Sequence, residues 1–181
     1  EGPPDRKYQE FRLNYNTNNW NLKRANSDIL PAHTVYLDLI PNEQTLLARM
    51  KPKTRYNIHL AARKGVTVRR AGMEELPLWY KLYSDTAQRN GIFLNDIEYF
   101  KSVLAAKADD TLSPATVELL LAEKDGEALA AIFLVLSGNR GTYLYGASSS
   151  QHRNCMPTYA LQWEAIRIAK ASGCTEYDMF G

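Results

Sequence analysis

Cysteine and histidine are both scarce in this sequence, and their spacing excludes more than their number does. The two cysteines, Cys155 and Cys174, lie too far apart for a Cys-x-x-Cys redox pair or a zinc knuckle, and they read as reduced thiols of a cytoplasmic protein. His33, His59 and His152 have no ligand-like spacing to one another or to paired carboxylates, so no catalytic metal is expected. Long hydrophobic runs are missing too. The longest, residues 128–136, is bounded by Glu127 and by Ser137-Gly138 and reads as a buried strand; a transmembrane helix needs ~20 apolar residues. The opening Glu1-Gly-Pro-Pro-Asp-Arg-Lys7 has neither the apolar stretch nor the cleavage pattern of a secretory signal.

Several catalytic signatures are also lacking. There is no Walker loop and no Gly-x-Gly-x-x-Gly after a strand, which disfavours nucleotide hydrolysis and dinucleotide redox chemistry. Ser148-Ser-Ser150 sits near His152, but with no Gly-x-Ser-x-Gly elbow the group reads as a polar turn. Carboxylates vanish between Glu43 and Glu74, an interval that holds Arg49, Lys51, Lys53, Arg55, Arg63, Lys64, Arg69 and Arg70 although the net charge is only +2. Such asymmetry marks either a phosphate-bearing partner or a solvated helix face, and composition leaves both open.

What is present suffices for one ordinary domain: 181 residues, 45% of them hydrophobic. Residues 1–30 lack sustained periodicity and are read as a connecting arm, the remnant of a preceding domain, with residues 31–181 as the domain proper. A strand is expected over 33–39, a short helix over 43–50 capped by Asn42, and a second helix over 53–64 ended by Gly65. On that helix Tyr56, Leu60 and Ala61 form the expected buried stripe, beside a cationic stripe of Arg55, His59 and Arg63. A strand follows at 66–70, then helices over 74–90 and about 96–107. The period then changes to that of three strands, 116–124, 128–136 and 142–147, joined by Asp125-Gly126 and by the turn at 138–141. A helix from Pro157 to Ser172 and a strand over 176–180 end the pattern. Alternation along the third strand predicts Tyr143 and Tyr145 on one face and Leu144 on the other.

Strand, helices, antiparallel meander, helix, strand is the layout of a GNAT-type acyltransferase core, an α/β fold with a mixed, largely antiparallel sheet. A coenzyme A acetyltransferase would hold pyrophosphate on a glycine-rich turn between its fourth strand and the next helix. Here the turn has no glycine between Ser148 and Pro157, and Pro157 removes a donor where donors are needed.

Separated motifs in order carry a resemblance to a family. They are residues 33–39; Lys53-Thr-Arg-Tyr-Asn-Ile58 with Ala62, Lys64 and Gly65; Arg89-Asn-Gly-Ile92; Tyr99-Phe100; Leu144-Tyr-Gly-Ala-Ser-Ser149; Arg153; Met156-Pro157; Tyr159 to Ile166; and Gly173 to Asp178 with Gly181. Together they resemble the FemABX peptidyltransferases over about residues 30–181. The resemblance implies an aminoacyltransferase with two GNAT-like domains, taking aminoacyl-tRNA as donor and the stem-peptide amine of a peptidoglycan precursor as acceptor, with no cofactor. Tyr99 and Tyr145 fall on tyrosines of the family's acceptor cleft. Asn95 stands where many members carry a phosphate-binding arginine, which implies another precursor form, such as a lipid-linked one. Arg153 matches the arginine of the strand-to-helix turn. Lys53, Arg55 and Arg63 are the expected tRNA or phosphate contacts. The family's lysine after the last strand has no counterpart, since the sequence stops at Gly181, so the chain is expected to be a fragment without part of the catalytic apparatus. A coenzyme A-dependent N-acetyltransferase and a non-catalytic domain that binds tRNA or a partner are the alternatives.

Overall fold

The computed structural model describes residues 33–108 and 115–180, except the side chains of residues 107 and 108. The expected arm, residues 1–30, lies outside the described residues. The elements are β1 (Tyr36–Asp38), α1 (Glu43–Arg49), α2 (Pro52–Arg63), β2 (Thr67–Ala71), a 3-10 turn (Met73–Glu75), α3 (Leu76–Asn90), α4 (Ile97–Ala105), β3 (Lys107–Ala108), β4 (Ala115–Lys124), β5 (Glu127–Ser137), β6 (Arg140–Ser148), a second 3-10 turn (Arg153–Cys155), α5 (Pro157–Ala171) and β7 (Glu176–Asp178).

Helix starts follow local chemistry. Asn42 accepts a hydrogen bond from the Thr45 N–H at 2.8 Å, and Asp96 accepts one from the Tyr99 N–H at 2.7 Å, each satisfying a first-turn donor. Helix α3 stops at Gly91, whose φ of +65° is open to glycine at little steric cost. The residues expected to begin that helix instead make the 3-10 turn, and the expected end of α4 is partly taken by the two-residue strand β3.

One sheet runs β1-β7-β6-β5-β4-β2, with β3 also paired to β4. Neighbours are antiparallel except β6 and β7, which are parallel because α5 carries the chain back across the sheet between them. Strand β5 is central and apolar on both sides, so residues 128–134 are all buried. Its neighbour β4 divides the core by alternation. Leu120 and Ala122 join Ile132 and Leu134 beneath Leu161, Ala165 and Ala169 of α5 and Ala61 of α2. On the opposite face Leu119 and Leu121 join Phe133 beneath Trp79 and Tyr83 of α3 and Phe100 of α4. Trp79 meets Phe133 and Phe100 edge-on, at centroid separations of 4.7 and 5.4 Å, an arrangement aromatic quadrupoles favour.

Two expectations fail on packing. The buried side of α2 is Asn57, Ile58 and Ala61, while Tyr56 is 57% exposed with the Arg63 guanidinium 5.6 Å from its ring centre. Docking against α5 sets the helix phase, and an aromatic ring with a polar tip tolerates the outside. In β6, Phe133 pairs with Tyr145 but Leu134 pairs with Tyr143, leaving Leu144 as an extra residue in a bulge. Tyr143 therefore packs with the α5 face, whereas Leu144 and Tyr145 pack with the α3–α4 face.

Candidate functional site

Strands β6 and β7 pair only from Arg140 to Thr142 against Glu176 to Asp178, yet β6 continues to Ser148. The edge of β6 from Tyr143 onward is thus open on that side. Gly141 lets α5 sit directly on the strand, since a Cβ there would lie 2.6 Å from the Ala169 Cβ. Two residues on, Tyr143 places a whole ring on the same face, and a cleft of about 240 Å³ opens between β6, α5 and the end of α3. Thr86 and Arg89 of α3, Tyr143, Gly146 and Ser148 of β6, and Gln162 of α5 are among its lining residues.

The cleft wall combines fixed and available groups. Ser148 turns both its backbone groups away from β5: its N–H donates to Thr86 Oγ1 at 3.0 Å, and its carbonyl accepts from Thr86 Oγ1 and from Arg89, both at 3.1 Å. Ser149 faces the other way, donating to the Leu129 carbonyl of β5. The two-residue period therefore puts the N–H and carbonyl of Gly146 on the open edge, in the cleft. Glycine is needed at this point, because a Cβ would lie 1.9 Å from the Tyr143 hydroxyl. That hydroxyl has no hydrogen-bond partner among the described residues, and burial pushes its pKa up. Gln162 accepts from the Tyr177 hydroxyl at 2.9 Å, which directs its amide nitrogen elsewhere.

Across the sheet, the hydroxyls of Tyr99 and Tyr145 are 2.6 Å apart and share a hydrogen bond. Burial, then the bond to Tyr99, pushes the Tyr145 phenol well above its ordinary pKa. Tyr99 is 41% exposed, so the pair stands at the surface with one ring anchored on Phe100 and Phe133. Asn95 is on the same segment, immediately before the Asp96 cap.

The remaining expected residues stand apart from these two tyrosines. Lys53, Arg55 and Arg63 lie on α2, which packs against α5 on the opposite face. Arg55 is engaged there, donating to the carbonyls of Ala48 and Met50 at the end of α1. Arg153 is exposed in the turn before α5 and is not among the residues lining the cleft. Among the described residues no three His, Cys, Asp or Glu side chains come together as a metal site would require. Sequence reasoning misses Thr86 and Tyr143 as cleft residues, and Arg89 and Gln162 enter it only as parts of motifs. Polar residues three apart at the end of an otherwise amphipathic helix are the available sign for Thr86 and Arg89.

The FemAB family pattern matches residues 18–119 and 106–181. The chain belongs to the FemAB family. A relative, the lipid II:glycine glycyltransferase of Staphylococcus epidermidis, is 25% identical over an alignment of 210 positions that covers 84% of this chain and 50% of that protein. The chain thus spans about half the length of the curated relatives it matches. The crystal structure of FemX superposes with a TM-score of 0.79 at 22% identity, covering 87% of this chain and 55% of that one. A GCN5-related glucosamine N-acetyltransferase region of a fungal multi-domain enzyme superposes with a TM-score of 0.51 at 13% identity over 98% of this chain and 20% of that one. The FemAB fold seen here is accordingly the GNAT-like α/β fold that the element order implied.

Proposed function

We propose that this chain is the acyl-transfer half of an aminoacyltransferase that moves an amino acid from aminoacyl-tRNA to the stem-peptide amine of a peptidoglycan precursor. The observation that carries the reading is the open β6 edge at Gly146, with free backbone groups inside a cleft and a tyrosine pair on the adjoining strand residue. An extended acyl donor can add to such an edge as a further strand would. The amine attacks the ester carbonyl, a C–N bond forms as the C–O bond to the ribose breaks, and the amine proton passes to the departing oxygen through solvent. An aminoacyl ester is already activated, so orientation and hydrogen bonds to the developing oxyanion are the protein's contribution.

Tyr99 and Tyr145 serve the acceptor side. Lys53, Arg63 and Arg153 serve phosphates of the donor or the precursor. The lipid II substrate named for the staphylococcal relatives, together with Asn95 where the family resemblance places a phosphate-binding arginine, favours a lipid-linked precursor. Titration of the chain with charged tRNA and with coenzyme A tests the reading. Binding of charged tRNA and not of coenzyme A is expected; the reverse would make the protein an N-acetyltransferase, and tRNA binding indifferent to charging would reduce it to a tRNA-binding domain.

A further inference from the structure

Arg89, at the end of α3, and the serines it meets at the end of β6 have no part in the reading above. Arg89 donates through Nη1 to the Ser148 carbonyl at 3.1 Å and to Ser150 Oγ at 3.2 Å. Through Nη2 it donates to Ser148 Oγ and Thr86 Oγ1, both at 3.3 Å. Every one of these acceptors is neutral. Asp85 and Glu127 line the same groove as Arg89, but neither forms an ion pair with it. The positive charge is therefore left without a carboxylate among the described residues.

The hydroxyls matter as much as the charge. Guanidinium is a donor only, so Ser148 and Ser150 meet it through their oxygen lone pairs, which leaves both hydroxyl protons available to a further acceptor. Two hydroxyls and a cation without a carboxylate partner then stand where the cleft meets the adjoining groove, Ser148 lining the first and Ser150 the second. Arg89 borders both the cleft that contains Gly146 and the adjoining groove of Lys81, Ser149, Ser150 and Gln151. In acyltransferases that hold a nucleotide pyrophosphate on a glycine-rich turn, backbone N–H groups supply the donors at this junction. Here the turn has no glycine between Ser148 and Pro157, and side chains occupy the corresponding place.

We propose that Arg89, Ser148 and Ser150 form a phosphate-binding cradle for the nucleotide end of the donor whose acyl group lies at Gly146. The proposal rests on the donor reading given above. The shared chemistry is a phosphate on an adenosine, which either the 3′ end of an aminoacyl-tRNA or coenzyme A would present.

Three probes separate the possibilities: 3′-deoxy-3′-glycylamido-adenosine, its 5′-phosphate, and coenzyme A, each titrated into the chain at low salt. In the unaltered protein the 5′-phosphate should tighten binding roughly tenfold, as expected when two hydroxyl donors and a guanidinium charge with no carboxylate partner act on one anion. Arg89→Gln should reduce that gain to less than about twofold, measured as the ratio of phosphate to nucleoside affinity within the variant, with an unaltered melting temperature verifying that the cleft is folded. Ser148→Ala with Ser150→Ala keeps the Arg89 bond to the Ser148 carbonyl and should lose about threefold of the gain. An unchanged phosphate gain in Arg89→Gln overturns the cradle and leaves the donor reading intact. If only coenzyme A binds, and Arg89→Gln weakens it, the cradle stands and the tRNA reading falls. If no phosphate compound binds, both fall.

Discussion

Tyr145 holds two environments together, with its ring against Phe100 and Phe133 and its hydroxyl on Tyr99 at the surface. Tyr→Phe at either position keeps the ring packing and removes one hydrogen bond, worth about 0.5–1.5 kcal/mol to stability. If the pair serves the acceptor, transfer by the complete protein should fall at least roughly tenfold with little change in melting temperature, since the loss of one charge-assisted bond in a transition state is of that size. A lower melting temperature with unaltered kinetics would assign the pair to packing. Tyr143, Tyr145 and Tyr177 share a second property: burial raises the pKa of each above its ordinary value. At alkaline pH the unfolded chain ionises these phenols first, so the stability present below pH ~10 is lost as pH rises beyond it. Melting temperature should decline above that point, and the decline should be shallower in Tyr145→Phe; an identical pH profile would contradict the burial argument. Gly146→Ala tests the close approach, because its Cβ would meet the Tyr143 hydroxyl at 1.9 Å. Destabilisation of about 1–3 kcal/mol is expected, as for other overpacked sites.

At the scale of elements, α3 and β6 are tied by Thr86, whose Oγ1 accepts from the Ser148 N–H while its single proton is shared between the carbonyls of Leu82 and Ser148. Thr86 is buried, so Thr86→Val leaves the Ser148 N–H without its partner and should lower unfolding free energy by about 1–3 kcal/mol in urea titrations. Most elements are legible in the sequence because each has a local cause: Asn42 and Asp96 as caps, Gly91 as a helix stop, Asp125-Gly126 as a hairpin turn. The bulge at Leu144 is not. It arises from the register of β6 against β5, and no residue type in Thr142-Tyr-Leu-Tyr-Gly146 announces it. Without the bulge Tyr143 falls on the wrong face, and its hydroxyl is no longer set against Gly146 in the cleft.

The molecule's charge shows how tertiary pairing edits a sequence pattern. Three arginines of the carboxylate-free interval find partners from elsewhere in the chain: Arg49 with Asp38, Arg69 with Glu75 and Glu123, and Arg70 with Glu118. Lys51, Lys53, Arg63 and Lys64 have no carboxylate partner among the described residues. Changing Lys53, Arg63 and Lys64 together to Ala should therefore flatten the salt dependence of tRNA binding, by about 0.7 in log–log slope for each phosphate no longer neutralised. An unaltered slope would return α2 to a solvated face. Arg55→Ala should instead cost stability, because its guanidinium caps the carbonyls of Ala48 and Met50.

By itself the sequence determined the order of elements, the family and the glycine-free turn before Pro157, since caps, periodicity and ordered motifs are local along the chain. The structure alone decided the phase of α2, the faces of Tyr143 and Tyr145, the neutralisation of Arg49, Arg69 and Arg70, and the meeting of Arg89 with Ser148 and Ser150. Each of these depends on strand register or helix docking between residues distant in sequence, and such contacts leave no periodic trace in the chain that makes them.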